Sequence, residues 1–403
     1  MSRKIFVIGL DGETALNEKA RGALLKGEVV LASGRLLELF SGYREHEEVK
    51  ARIKTINKIE DTLSFIRGAD GAVSVLASGD PLFFGIGTRL LNEFPSDEVH
   101  LYPALSSMQT AFSKIKMNWE DAFFISLHGN RVVRDWKLVD LPLLCELHRK
   151  LVILTGGGNT PSKISEYLPE SSHIHLFERL GYPDEKITEG DRVFFLGREF
   201  AEPNLMIVKA PLKEGSFIFG LKETDFAHER GLITKDEVRA VILHKLALPR
   251  KGVLWDIGAG SGSVSIEAKR LSPGLEVYAI EKDAQRVEDI KANIRQLRAG
   301  GVNAVHGEAP EILDGLPSPD CVFIGGAGDA LKETMEFACK KMNKGVLAAA
   351  IITLESLGTA LGAFRENGFK TEVCSVSVSR GEEIGEKEYM KALNPVFILK
   401  GTK

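Results

Sequence analysis

Short apolar runs rich in valine and isoleucine alternate along the chain with longer stretches in which apolar residues return at helical spacing. That alternation predicts α/β architecture, with parallel sheets covered by helices. In the first half, residues 4–9, 28–32, 72–77, 99–102, 123–127, 151–155, 193–197 and 205–208 read as strands, and several of them end in or run directly into Gly, Ser or Thr, as at Gly9, Ser33, Ser78, Thr155 and Gly197. Small residues there let a ligand reach the backbone, and the carboxyl ends of strands are where open α/β sheets bind ligands. Between Pro211 and Phe226 the pattern lapses into Pro-Leu-Lys-Glu-Gly-Ser and Lys-Glu-Thr-Asp. This reads as a linker over 211–225 between a domain of 1–210 and a second of 226–403. Thr234, followed by Glu237, reads as a capping box ahead of a helix over 238–246. Strands are then expected at 253–257, 275–281, 321–325 and 346–353. Residues 371–379 and 395–400 follow with no helical segment between them, which predicts an antiparallel edge pair.

Composition narrows the function classes. The 403 residues suffice for two or three domains, and 44% hydrophobic with 27% charged residues is ordinary for a globular protein. A net charge of −4 lacks the excess positive charge of a nucleic-acid binder. The longest uncharged apolar stretch, Val346 to Leu354, falls far short of the ~20 residues of a membrane-spanning helix. The N-terminus has no signal-peptide pattern, so a cytoplasmic location is expected. Cys145, Cys321, Cys339 and Cys374 are widely spaced, which predicts free thiols rather than disulfides or a zinc site. No cluster of His, Cys and acidic residues has metal-ligand spacing along the sequence, so no metal site is expected. Glycine, at 40 residues, is over-represented, and its placement carries the chemistry.

The strongest local signal is Val253-Leu254-Trp255-Asp256-Ile257-Gly258-Ala259-Gly260-Ser261-Gly262-Ser263-Val264. An apolar strand enters Gly-x-Gly-x-Gly and a helix leaves it, the context of a nucleotide-binding loop. A dinucleotide site has its third glycine one place later, where Ser263 stands here. Asp256 at the strand tip would repel a pyrophosphate but can accept hydrogen bonds from an ammonium group. Glu281, at the end of the next strand, can take the hydroxyls of an adenosine ribose. Asp256, the loop with Ala259 and Ser261, and Glu281 together suit S-adenosylmethionine, which carries ammonium, sulfonium and ribose but no phosphate. NAD or another nucleotide, and a ligand-free turn, are the competing readings. Pro319-Asp320-Cys321-Val322-Phe323-Ile324-Gly325-Gly326 lacks the Asn-Pro-Pro-Tyr type of element used on base amines, favouring a carbon, oxygen or sulfur acceptor.

Several of these words resemble known families. Ile233-Thr234-Lys235, the run Leu254 to Glu267, Tyr278-Ala279-Ile280-Glu281-Lys282, Gly307-Glu308-Ala309-Pro310 and Val322 to Gly326 resemble the decarboxylating precorrin methyltransferase domain of cobalamin biosynthesis, over about 225–400. The resemblance implies a Rossmann-like class I methyltransferase fold and contacts to the methyl donor from Thr234, Gly258 to Gly262, Glu281 and Ala309. The first half, through Leu76 to Gly87, Pro103 to Gln109, Trp119-Glu120-Asp121, Ser126 to Gly129 and Asn159-Thr160-Pro161, resembles the tetrapyrrole methylases over about 4–208. It implies a class III methyltransferase fold, with Gly79, Asp80, Ser106 and Ser107 as donor-site candidates. Two words depart from that family. Its opening Gly-x-Gly-Pro-Gly is Ile8-Gly9-Leu10-Asp11-Gly12 here, and its acid before Asn-Thr-Pro is replaced by Gly156-Gly157-Gly158.

Together the resemblances imply S-adenosylmethionine-dependent methylation of a precorrin or cobalt-precorrin at C-5 by the first half. The second half would methylate C-15 and decarboxylate the ring C acetate. A homo-oligomer with neither nucleic-acid nor membrane partner is expected. The alternatives are a methyltransferase for another small molecule and a nucleotide-binding scaffold without turnover. Methyl transfer is an in-line displacement in which positioning supplies most of the effect, so no catalytic residue is assigned. Arg380 is a candidate clamp for substrate carboxylates, weighed against a solvated surface arginine. His128 reads equally as a contact to donor or substrate and as a structural histidine. Asp80 is weighed between donor contact and turn capping, and the acid-rich tract 382–386 reads as a solvated loop.

Overall fold

The computed structural model describes residues 3–127, 136–210, 218–229, 233–326, 328–385 and 387–403. These fall into two compact units, one of 3–127 with 148–210, the other of 136–147 with 218–403. His128 lies outside the described residues, as does the 211–217 part of the expected linker.

The first unit begins with five strands, β1 (Ile5–Leu10), β2 (Val29–Ala32), β3 (Ile53–Thr55), β4 (Val73–Ser78) and β5 (Val99–Tyr102). They form a parallel sheet in the order β3-β2-β4-β1-β5. β1 is buried along its whole length, as expected of an unalternating apolar run covered on both faces. Five further strands, β6 (Ala122–Ser126), β7 (Lys150–Leu154), β8 (His173–Glu178), β9 (Lys186–Asp191) and β10 (Asn204–Lys209), form a second sheet in the order β6-β7-β10-β8-β9. Only β6 and β7 pair in parallel.

The second unit holds β11 (Lys251–Ile257), β12 (Gly274–Glu281), β13 (Val302–His306), β14 (Cys321–Ile324), β15 (Val346–Ile351), β16 (Lys370–Val376), β17 (Ser379–Ile384), β18 (Lys387–Ala392) and β19 (Val396–Thr402). Its seven-stranded sheet runs β13-β12-β11-β14-β15-β19-β16, with β17 and β18 as a separate hairpin. The order reverses beside β11, whose neighbours are β12 and β14, so a crevice opens at its carboxyl end. The antiparallel pair is β16 with β19, but β19 also pairs with β15, leaving β16 alone at the edge.

Several expectations are corrected. Residues 193–197 are not a strand: Asp191 Oδ1 accepts from the Phe194 N–H at 2.9 Å and caps the short helix Arg192–Phe195. Thr234 does not cap: the helix is Asp236–Leu246 and its N-cap, Lys235, makes no side-chain capping bond. Residues 382–384 of the acid-rich tract belong to strand β17, where Glu382 pairs with Lys391 across the hairpin at 2.8 Å. Residues 218–226 do not run free, since Leu221 and Phe226 are core residues of the second unit.

Residues 136–147 pack into that same unit through buried charges. Lys269 Nζ lies 2.7 Å from Asp140 Oδ1, and an Arg270 guanidinium nitrogen lies 2.7 Å from Glu146 Oε1. Val139 passes so close to Gly300 that a Cβ there would meet its carbonyl oxygen at 1.7 Å. The four cysteines are free, and burial pushes the thiols of Cys145 and Cys321 up to about 12 and that of Cys339 to about 11, which keeps them unreactive. Among the described residues no helix is long and apolar enough to cross a membrane.

Candidate functional site

The glycine loop leaves β11 at the switch point. Gly258, Gly260 and Gly262 all take left-handed φ values of 72°, 57° and 75°. At Gly258 the need is absolute, because a Cβ would stand 2.2 Å from the Gly326 carbonyl oxygen at the end of β14. The loop is tied to β12 by the N–H groups of Gly258 and Ala259, both donating to the Ile280 carbonyl at 2.9 and 3.0 Å. The helix Ser263–Leu271 then departs with its first N–H groups at the loop.

Two carboxylates frame this turn. Asp256 is buried and its Oδ2 accepts from the backbone N–H and the hydroxyl of Ser265 at 3.0 and 2.6 Å. Its Oδ1 is buried with no hydrogen-bond partner. Burial pushes the Asp256 carboxyl up to about 6, against the Ser265 donors and with help from the Glu281 charge. Glu281, also buried, accepts from Gly260 N–H at 2.9 Å through Oε2 and from Asp283 N–H at 3.1 Å through Oε1. Asp256, Gly258, Ala259, Gly260, Ser261, Gly262 and Glu281 are therefore gathered at one place. The segment bearing Ala309 reaches it through Gly307, whose N–H donates to the Glu281 carbonyl at 3.0 Å. Thr234 is tied elsewhere: its carbonyl accepts from Arg239 at 3.1 Å.

Sequence reasoning missed four participants. Ser265 holds Asp256, and its place one turn into the helix was a usable signal. Asn293, wholly buried, donates to the Ser261 carbonyl at 2.9 Å and pairs with both the N–H and the carbonyl of Ala227. Nothing local distinguishes it from other polar residues of its helix. Ile352 and Leu354, just past β15, are 72% and 69% exposed, an apolar patch at the carboxyl edge of the sheet. Arg380 is not a free clamp, since it pairs with Glu237 at 2.6 Å and Glu223 at 2.8 Å.

In the first unit Gly79, at φ 56°, follows β4, and its own Cβ would meet the Ser106 Cα at 2.6 Å. The loop after β4 thus abuts the turn where Ser106 caps the helix Ser107–Lys114 in a capping box with Gln109. Asp80 Oδ1 accepts from the Leu82 N–H at 2.8 Å, the turn-capping arrangement. Leu82, Phe84 and Leu105 flank these residues and are about half exposed. The unexpected Asp11 is held by Tyr43, whose hydroxyl donates to Asp11 Oδ1 at 3.0 Å and accepts from the Asp11 and Gly12 N–H groups. Burial and the Asp11 charge raise the Tyr43 phenol above its ordinary range. Asn159, after the three glycines, donates to the Leu127 carbonyl at 3.0 Å.

Comparison with known proteins finds two families along the chain. Residues 7–192 match the family of tetrapyrrole (corrin/porphyrin) methylases and residues 224–403 match the precorrin methyltransferase domain. The chain is 33% identical over 390 residues to a Sinorhizobium protein named precorrin-6Y C(5,15)-methyltransferase (decarboxylating), covering 94% of this chain and 87% of that protein. It is 42% identical over 183 residues to a Pyrobaculum calidifontis protein named as a probable cobalt-precorrin-6B C(15)-methyltransferase (decarboxylating), covering 45% of this chain and 94% of the relative. A crystal structure titled as precorrin-6Y C5,15-methyltransferase from Geobacter metallireducens shares 39% identity and a TM-score of 0.45, covering 47% of this chain and all of the other.

Proposed function

The chain belongs to the precorrin-6Y C(5,15)-methyltransferase (decarboxylating) family, and from that premise we propose how its two units divide the reaction. Its activity is S-adenosylmethionine-dependent methylation of a precorrin at C-5 and C-15, with loss of the ring C acetate as carbon dioxide, in cobalamin biosynthesis. The first unit carries C-5 methylation and the second carries C-15 methylation and decarboxylation. The supporting observation is that the relative named for C-15 chemistry alone aligns with less than half of this chain, and that the matching family begins at residue 224.

In the second unit the residues suit the methyl donor. S-adenosylmethionine supplies a methyl group on a sulfonium with a positive ammonium beside it. The unpartnered Asp256 Oδ1 is an acceptor for that ammonium, directly or through water, and Glu281 is an acceptor for ribose hydroxyls in place of the Gly260 N–H. Gly258 and Gly262 keep the loop free of side chains. Ala309 lines the adenosine side, and Thr234 approaches the donor only by a shift of its segment. In the first unit Gly79, Asp80, Ser106 and Ser107 form the corresponding turn. Ile352 and Leu354 offer an apolar face to the macrocycle, holding an electron-rich ring carbon in line with the sulfonium, where orientation supplies most of the rate.

The protein is further read as cytoplasmic and self-associating, with no nucleic-acid or membrane partner. Exposed Ile384 and Met390 on the β17–β18 hairpin support self-association, and the net charge of −4 speaks against a nucleic-acid partner.

The test uses full-length protein, labelled donor and a precorrin. Wild type adds two methyl groups and releases carbon dioxide. Glu281→Ala retains one methylation, with the acetate kept. A variant that still releases carbon dioxide at the wild-type rate would overturn the assignment.

A further inference from the structure

Outside both glycine-rich turns, the β8–β9 hairpin at the edge of the second sheet brings three metal-ligating side chains together. In β8, His173 and His175 are two residues apart and so share one face of the strand. In β9, Glu189 stands opposite His175 and Asp191 opposite His173 in the antiparallel register. Glu189 Oε2 lies 3.3 Å from His175 Nδ1 and 3.9 Å from His173 Nε2, and the three ligand atoms fall within 4.8 Å of one another. These three side chains come together only through the β8–β9 register, not through spacing along the sequence.

We propose that His173, His175 and Glu189 form a binding site for a late first-row divalent ion, zinc, cobalt or nickel. Two imidazoles and one carboxylate are the donor set such ions take. At bond lengths near 2.0–2.1 Å, tetrahedral ligand atoms stand about 3.4 Å apart. The Glu189–His175 separation already has this value, and only the half-exposed His173 ring must close in. The two rings meet edge to face with centroids 4.8 Å apart, so a small rotation suffices.

An independent observation points to a ligand here. His175 is only 8% exposed, yet no hydrogen bond reaches its Nδ1, which is buried and aimed at the carboxylate. A buried imidazole nitrogen left without a hydrogen bond is costly unless something else binds it. Burial, followed by the charges of His173 and Lys209, lowers the His175 pKa against the opposing pull of Glu189, and the neutral ring is the form that ligates metal. The remaining charged neighbours are Asp191, with Oδ1 engaged by Phe194 N–H, and Lys209, which pairs with His173 from β10. Lys209 opposes a cation and Asp191 favours one, so neither decides the site. The bound ion would pin β9 to β8 at a sheet edge that is otherwise held by one ladder.

The test is titration of untagged, metal-free full-length protein at pH 7.5 with cobalt(II), followed by its visible ligand-field band, then displacement by zinc(II). One cobalt per chain is expected, displaced by one zinc. His173→Ala and Glu189→Gln both alter partly exposed positions, and an unchanged circular dichroism spectrum verifies their folds. Each should weaken cobalt binding by about tenfold or more. Absence of a stoichiometric band, or a band of unchanged affinity in both variants, would overturn the site and assign any bound cobalt to other histidines or to the cysteines. Methyl transfer is not read in this experiment, so its outcome is separate from the proposed reaction.

Discussion

Asp256 carries the most direct test of the donor site. Its carboxyl is buried and its pKa stands at about 6, against an ordinary value of 3.8. The rise from 3.8 to about 6 corresponds to roughly 3 kcal/mol spent on keeping the group ionised in the folded protein. For a raised carboxyl the sign is fixed: the cost is absent below pH 4 or so, grows as pH rises, and is complete above about 6. A cationic donor that pairs with Asp256 repays this cost, so its binding requires the ionised form. About a tenth of the carboxyl is ionised at pH 5 and about nine-tenths at pH 7, which predicts roughly ninefold tighter donor binding at the higher pH. Asp256→Asn removes the titrating group while keeping an oxygen for Ser265, so its affinity should be lower by about 1.5–3 kcal/mol at pH 7 and flat with pH. Calorimetric titration of the full chain with S-adenosylmethionine at pH 5, 6 and 7 measures both curves. A wild-type affinity independent of pH, or the same slope in Asp256→Asn, would refute the reasoning.

Gly258→Ala places a methyl group against the Gly326 carbonyl and forces a left-handed φ, so it should remove the second unit's donor site from the same titration, leaving the first unit's, and lower stability by about 1–3 kcal/mol in a denaturant melt. Glu267 is buried, pairs with buried Arg239 at 2.5 Å and accepts from the Gly220 and Leu221 N–H groups. Glu267→Ala leaves that guanidinium with Asp236 at 3.1 Å and the Thr234 and Leu221 carbonyls but no buried carboxylate, and should cost about 3 kcal/mol, read as a lower urea midpoint. Asp140→Ala leaves the Lys269 ammonium with only the Pro273 and Leu275 carbonyls and should cost a similar amount, whereas removing both charges as Asp140→Leu with Lys269→Met should recover most of it. If the single and double variants unfold alike, the ion pair is not what holds this segment.

The parts of the site visible in the sequence are those whose chemistry is local. A strand, three glycines and a helix occupy one continuous run, and Glu281 falls at a fixed distance along it, so chain order alone assembles the turn. What escaped depends on distant partners. Asn293 is an ordinary helical residue until Ala227 and Ser261 are brought to it. Arg380 invites a ligand role only while its partners Glu223 and Glu237 are unknown. Thr234 and Glu237 have capping-box spacing, but Glu237 is drawn to Arg380 instead. In β8, only His173-Ile174-His175-Leu176 alternates before Phe177 breaks the period, too short a signal to stand out beside the longer apolar runs.

The segment at 136–147 has a consequence for how the molecule is made. Glu146 precedes its partner Arg270 by 124 residues. At synthesis rates of about 5–20 residues per second, Glu146 waits roughly 6–25 s after leaving the peptidyl-transferase centre before its guanidinium exists. During that interval the segment cannot dock, although the residues on either side of it belong to the unit made first. The order of manufacture is thus interleaved: the earlier unit encloses in sequence a piece reserved for the later one, and the later one closes only by reaching back along the chain.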